Sequence, residues 1–296
     1  MRPELQQAVT ELQKGTSDAM NRAVALLQQT VFSFSMRVCG HREDAEDTAQ
    51  ETLLRTVPQL PKFESPQALA VWLYKVARSR CLMSRRRSKF APREPLSLEE
   101  VMPDRAELES ALESPQRSPE QQLLRAENAA ELRRAILKIP PDYRQILVLH
   151  DMEELSAGEV ARITGLRPGT VRVRLHRARA YLRNQLAVKP TSLRPTSAKP
   201  RQMWGTHRTR GRKAGPGAHC KRMFGALSAY LDQEIDAQTC AALESHLNGC
   251  PPCKAYLASL EETVRRCKQC PPEELKARVS AEVREMVRQA YAGKSS

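Results

Sequence analysis

The stretch Leu155–Arg183, LSAGEVARITGLRPGTVRVRLHRARAYLR, constrains this chain more than any other. It reads as two short helices joined by a tight turn. Ser156 followed by Glu159 has capping-box spacing, which marks a helix start. Gly165 supplies the turn, where positive φ costs glycine little. Pro168 opens the second helix, at a position where proline is tolerated. Val171, Leu175, Ala178 and Leu182 then share one face by their i, i+4, i+7, i+11 spacing. Arg172, Val173, His176 and Arg177 fall on the other face. A helix with one packed side and one arginine-bearing side suits a DNA major groove. An ordinary amphipathic surface helix is the competing reading. The cap, the glycine turn and the arginines at fixed offsets speak against it.

The bulk numbers agree. A formal charge of +14 and a pI near 9.7 favour a polyanionic partner, nucleic acid before membrane. The 296 residues predict about two or three domains. Aromatics are only 4%, and the apolar residues recur at helical rather than alternating spacing, which predicts an all-α chain of small bundles. No apolar run reaches the roughly 18 residues a membrane span needs. The N-terminus, MRPELQQAVTELQK, lacks the apolar stretch of a signal peptide. A cytoplasmic protein without a membrane partner is expected. Thiols stay reduced there, so eight cysteines point to metal or redox chemistry for some of them.

Composition divides the chain into five segments. Residues 16–89 are helical and end in Arg85-Arg86-Arg87. Residues 90–118 are acidic and punctuated by proline, as a linker would be. Residues 119–187 are helical again and hold the two-helix motif. Residues 188–218 carry eight Lys/Arg, four prolines and no acidic residue, and read as a flexible basic linker. Residues 219–291 form a cysteine-rich helical unit.

In the first unit, Asp44, Asp47 and Glu51 make an acidic stripe beside Ala45, Ala49 and Leu53; most such stripes are simply solvated. Trp72 and Tyr74 lead into Arg78, Arg80 and the arginine triplet. Aromatics interleaved with basic residues suit single-stranded nucleic acid. A core tryptophan beside a basic helix end fits equally well. In the last unit, Cys220, His246, Cys250 and Cys253 form C-x25-H-x3-C-x2-C, which suits one tetrahedral Zn²⁺. Unrelated buried cysteines are the competing reading, and His219 is a substitute ligand beside Cys220. Cys267 and Cys270 form a second CxxC without partner ligands and receive no role. Cys39, Cys81 and Cys240 are read as packing residues.

Three segments in order, DAEDTAQETLLR, WLYKVARS and KIPPDYRQILVLHDMEELSAGEVARITGLRPGTVRVRLHRARAYLR, resemble the sigma-70 family of bacterial transcription initiation factors. The likeness is to its small extracytoplasmic-function group and covers about residues 16–187. It implies two helical sigma domains. Region 2 holds RNA polymerase core and melts the −10 element; region 4 reads the −35 element through its helix-turn-helix. By position, Asp44, Asp47, Gln50 and Glu51 would face the β′ clamp helices of the polymerase. Trp72, Tyr74, Lys75, Arg78 and Ser79 would lie near the −10 strand. Ser79 and Met83 depart from the Asn and Asp frequent in the family. The −35 contacts fall on Arg172, Val173, His176 and Arg177, with Thr170 and Arg174 toward phosphates. The implied partners are the β′ clamp helices, the β flap and promoter DNA, and the acidic segment would thread the polymerase's RNA path.

The run from Cys220 to Val264 resembles the zinc-binding anti-sigma domain, over about residues 219–265. The resemblance implies a unit in intramolecular contact with the sigma domains, wrapped between them and hiding the polymerase-binding surface. Some members let go when their zinc thiolates oxidise. Gln233 stands where members commonly carry glycine, so the turn there is expected to be altered. The function expected is therefore a sigma factor regulated in cis by a fused zinc domain. No nucleophile–base set, P-loop or carboxylate pair points to an enzyme. The alternative is a helix-turn-helix regulator with a zinc dimerisation module, acting without core polymerase; it needs neither the acidic stripe nor the Trp72 region. A thiol oxidoreductase would need a βαβ context that the pattern lacks.

Overall fold

The computed structural model describes residues 2–14, 16–63, 65–86, 96, 102, 125–187, 220, 223–275 and 279–292. Apart from Leu96 and Met102, the two expected linkers lie outside the described residues, as do Arg87 and His219. Every regular element among the described residues is helical.

The first bundle holds α1 (Pro3–Gln13), α2 (Ser17–Cys39), α3 (Arg42–Thr56), a 3-10 turn (Val57–Lys62) and α4 (Pro66–Arg86). Thr16 caps α2 by accepting from the Ala19 N–H at 3.3 Å, and Gly40 ends it in a left-handed conformation, φ 82°. Phe32, Leu53, Leu69 and Leu73 are buried between α2, α3 and α4. Full burial of each such side chain contributes about 1.5–3 kcal/mol. Helix α1 packs Leu5 and Ala8 into the same core, so the bundle begins before residue 16.

The second bundle holds α5 (Arg125–Lys138), α6 (Pro141–Leu147), a π-helical turn (Val148–Met152), α7 (Ala157–Thr164) and α8 (Pro168–Ala187). It sits directly on the first, with α4 against α7 and α2 against α5 and α6. Arg144 Nη1 donates to the Val38 carbonyl at 2.8 Å, and Arg78 Nε to Gln145 Oε1 at 2.6 Å. The approach at Gly40 is close: a Cβ there would stand 2.9 Å from Leu137 Cδ2.

Beyond the second bundle, the described residues include α9 (Leu227–Leu231), α10 (Ala237–Gly249), α11 (Pro251–Gln269) and α12 (Ala281–Ala292). Helices α9 and α11 pack on α8, and α11 also packs on the π turn. Helix α12 goes elsewhere. It buries Val283 and Val287 and lies against the 3-10 turn, α2 and α3 of the first bundle. Residues 219–291, expected as one unit, therefore divide between two neighbours. The described helices include none long and apolar enough to cross a membrane.

Candidate nucleic-acid interface and metal centre

The two-helix motif forms as its local signals require. Ser156 Oγ accepts from the Glu159 N–H at 3.3 Å, and Glu159 Oε2 accepts from the Ser156 N–H at 2.8 Å. Gly165 is left-handed, φ 72°, and its N–H closes α7 on the Ala161 carbonyl at 2.9 Å. Val171, Leu175, Ala178 and Leu182 are all buried.

The opposite face is not uniformly free. Thr170 is exposed and Val173 is 50% exposed. Arg172 Nε reaches Glu234 Oε2, beyond α9, at 2.6 Å. Arg174 lies over the Tyr143 ring at 5.7 Å, and Arg177 Nη1 donates to the Leu96 carbonyl at 2.8 Å. His176 departs most from expectation. It is only 4% exposed and meets Phe224 edge-on, ring centroids 4.8 Å apart. Neither ring nitrogen has a hydrogen-bond partner among the described residues. Burial, with the charges of Arg179 and Arg177 adding to it, pushes its pKa down to about 4, so the ring is neutral.

The sequence pattern does not single out Arg179 or its partners. Arg179 is fully buried and forks between two carboxylates. Its Nε meets Asp151 Oδ2 at 2.8 Å and its Nη2 meets Asp151 Oδ1 at 2.5 Å. Asp232 takes a bond from each Nη at 2.8 Å, and Ser228 Oγ takes one at 2.7 Å. Burial alone would raise the Asp151 pKa, but the guanidinium overrides it and holds the carboxyl well below the usual range. Burial would likewise lower the Arg179 pKa, and the two carboxylates drive it up instead. The spacing did carry a signal: Arg179 follows Leu175 by four residues, at the edge of the packed face. Asp151 reaches it because the π turn, closed by the Glu153 N–H on the Val148 carbonyl at 2.9 Å, turns it inward.

A second buried carboxylate joins the bundles. Glu153 Oε1 accepts from Arg37 Nη1 at 2.7 Å; its Oε2 accepts from the Tyr74 hydroxyl at 2.6 Å and lies 3.1 Å from Arg2 Nε. Arg37 Nη2 also donates to the Cys270 carbonyl at 3.3 Å and the Pro271 carbonyl at 3.4 Å. Tyr74, expected near a DNA strand, is thus wholly buried, and burial together with Glu153 raises its pKa. Its companions vary. Trp72 is 38% exposed beside Phe63, Lys75 and Ser79 are exposed, and Arg78 is held by Gln145.

On α3, Asp47 and Gln50 are exposed and Asp44 is half-buried. Glu51 pairs with Arg80 and, at 3.3 Å, with Arg55. The expected covering of this stripe by the C-terminal unit is not met at Asp47 and Gln50.

Ligand atoms of Cys220, His246, Cys250 and Cys253 all lie within 4.8 Å of one another. His246 sits in the last turn of α10, Cys250 at the break between α10 and α11, and Cys253 in the first turn of α11. Burial and the neighbouring Cys250 and Cys220 raise the Cys253 thiol pKa. Thiols crowded in this way ionise readily only around a cation. Three sulfurs and an imidazole at this separation fit a soft, tetrahedral divalent ion. Gln233, in the turn preceding α10, keeps a left-handed conformation, φ 56°, without glycine. Cys39, Cys81, Cys267 and Cys270 are buried; Cys240 is half-buried in α10.

Three family models match the chain: "Sigma-70 region 2" over residues 23–90, "Sigma-70, region 4" over 129–182, and "Putative zinc-finger" over 220–254. Among curated proteins, the chain is 29% identical to the ECF RNA polymerase sigma factor SigW of Bacillus subtilis, over 62% of this chain and 96% of SigW. It is 30% identical to the RNA polymerase sigma-H factor of Pseudomonas aeruginosa, over 59% of this chain and 89% of that protein. With the ECF RNA polymerase sigma factor SigE of Mycolicibacterium smegmatis it shares 34% identity, over 53% of this chain and 57% of SigE.

Proposed function

Because the chain belongs to the sigma-70 family, as an extracytoplasmic-function sigma factor with a zinc-finger-like domain at its C-terminal end, we propose that it brings RNA polymerase core to promoters under the control of that domain. The observation that carries the regulatory part is the seating of α9 and α11 on α8, with Arg172, His176 and Arg179 all engaged. In this reading the structure is the closed state. Asp44, Asp47, Gln50 and Glu51 face the β′ clamp helices, and the second bundle meets the β flap. Once the bundles separate, Trp72, Tyr74, Lys75, Arg78 and Ser79 face the −10 strand. Arg172, Val173, His176 and Arg177 read the −35 element, with Thr170 and Arg174 on phosphates. An arginine paired bidentately with guanine discriminates by about 1–3 kcal/mol.

Cys220, His246, Cys250 and Cys253 hold one Zn²⁺. The ion fixes the α10–α11 junction and so shapes the surface that meets α8; its contribution is structural. The ligands come from two chain segments, Cys220 and the run from His246 to Cys253, which a bound ion or the intact core keeps together.

Run-off transcription with core polymerase on a promoter library tests the reading. The chain truncated after residue 187 is expected to stimulate initiation more than the full chain. If neither form stimulates, the sigma reading fails. Equal stimulation removes the cis regulation.

A further inference from the structure

The turn between α9 and α10 carries Asp232, Glu234 and Asp236 in a chain whose formal charge is +14. Asp236 is committed to capping α10, where it accepts from the Thr239 N–H at 2.9 Å. The other two face α8. Glu234 takes a bond from Arg172 Nε at 2.6 Å, and Asp232 takes two from Arg179, each 2.8 Å. A carboxylate receiving guanidinium N–H groups offers oxygen acceptors of the kind that a phosphate or a guanine edge offers.

His176, one turn along from Arg172, sharpens the point. It is 4% exposed, and its two ring nitrogens have no partner among the described residues. An apolar ring would meet Phe224 without stranding two polar atoms, so packing does not call for a histidine here. A donor and an acceptor on one ring suit a base edge or a phosphate. The part of α8 that Phe224 and the turn cover thus carries polar groups that packing alone does not require.

The stripe on α3 contrasts with it. Asp47 and Gln50 stay exposed although α12 packs on the 3-10 turn, α2 and α3.

We infer that the acidic turn 232–236 is a DNA mimic: it holds Arg172 in place of promoter DNA and anchors itself on Arg179, while Asp47 and Gln50 of the polymerase-facing stripe on α3 stay exposed. This rests on the cis-regulated sigma reading and specifies the step at which regulation acts. The closed chain docks on polymerase through α3, and DNA readout is what the turn withholds.

The test compares the full zinc-loaded chain with Asp232→Asn/Glu234→Gln, which keeps side-chain shape and removes both charges. Two probes are used: a helical fragment of the polymerase β′ clamp, and a promoter duplex recovered from the transcription library. Zinc content and thermal unfolding show that the variant is folded. The variant is expected to bind the duplex about tenfold or more tightly than the parent, from the loss of charge-assisted bonds. Binding of the clamp fragment stays the same. Unchanged duplex affinity overturns the mimic, and so does clamp-fragment affinity that rises in step with duplex affinity. If neither form binds the clamp fragment and no duplex is recovered, the sigma reading itself has failed.

Discussion

Docking of the C-terminal unit on α8 should weaken in mild acid, through His176. In the closed state burial holds its pKa at about 4, against an ordinary value of 6.5. The docked pKa is depressed, so the closed state favours the neutral ring. That contribution is fully present above pH 6.5 and is lost as pH falls from 6.5 toward 4. A gap of about 2.5 units is worth about 3 kcal/mol at its limit, at 1.36 kcal/mol per unit. Between pH 7.5 and 5.5 the docking constant falls about tenfold, or about 1.4 kcal/mol. At 4% exposure the ring is shielded enough that solvent screening takes little from this figure. Native-state hydrogen exchange at the α8 amides, corrected for the intrinsic pH dependence of exchange, reads the constant. NMR of the histidine ring protons reads the pKa. His176→Phe keeps the contact with Phe224, should dock more tightly at pH 7.5, and should lose the His176 share of the acid response. The reasoning is refuted if the phenylalanine variant weakens as much as the parent between pH 7.5 and 5.5. It is refuted equally if His176 titrates near 6.5 in the full chain.

Three further outcomes are expected. Gln233→Gly should stabilise the C-terminal unit by about 1 kcal/mol, because Gln233 pays for a left-handed φ of 56°; thermal unfolding that drops instead would contradict that strain. Glu153→Gln removes one partner of a buried ion pair and should cost the closed arrangement about 3–5 kcal/mol in urea unfolding, whereas a loss under about 1 kcal/mol would show that Arg37 is satisfied by the Cys270 and Pro271 carbonyls alone. Cys250→Ser/Cys253→Ser should take bound zinc from about one per chain to near zero by metal analysis, and full retention would remove the four-ligand assignment.

What the sequence made legible is what is local. Ser156, Glu159, Gly165 and Pro168 act within a few residues of one another, and the structure keeps each in its expected role. The His246–Cys250–Cys253 run is local as well, and Cys220 joins it as the fourth ligand of the C-x25-H-x3-C-x2-C pattern. The illegible part is long-range. Arg179 meets Asp232 across 53 residues, and Arg37 meets Glu153 across 116. No periodicity encodes such pairings, and α3 alone gives no hint that α12 will pack beside it. Burial of Tyr74 and His176 has the same origin. Each has the chemistry to meet nucleic acid, and each is covered by a part of the chain remote in sequence.

The split of the C-terminal unit has a consequence for how signals add. Helices α9 and α11 grip the second bundle while α12 grips the first, and one chain carries both grips. When either grip loosens alone, the other keeps it close, at an effective concentration in the millimolar range for a short tether. It re-forms before a dilute competitor can take its place. Displacement is efficient only when both bundles are claimed together. A partner that meets only one bundle leaves the other grip in place, so the arrangement behaves as a coincidence gate rather than a simple lock.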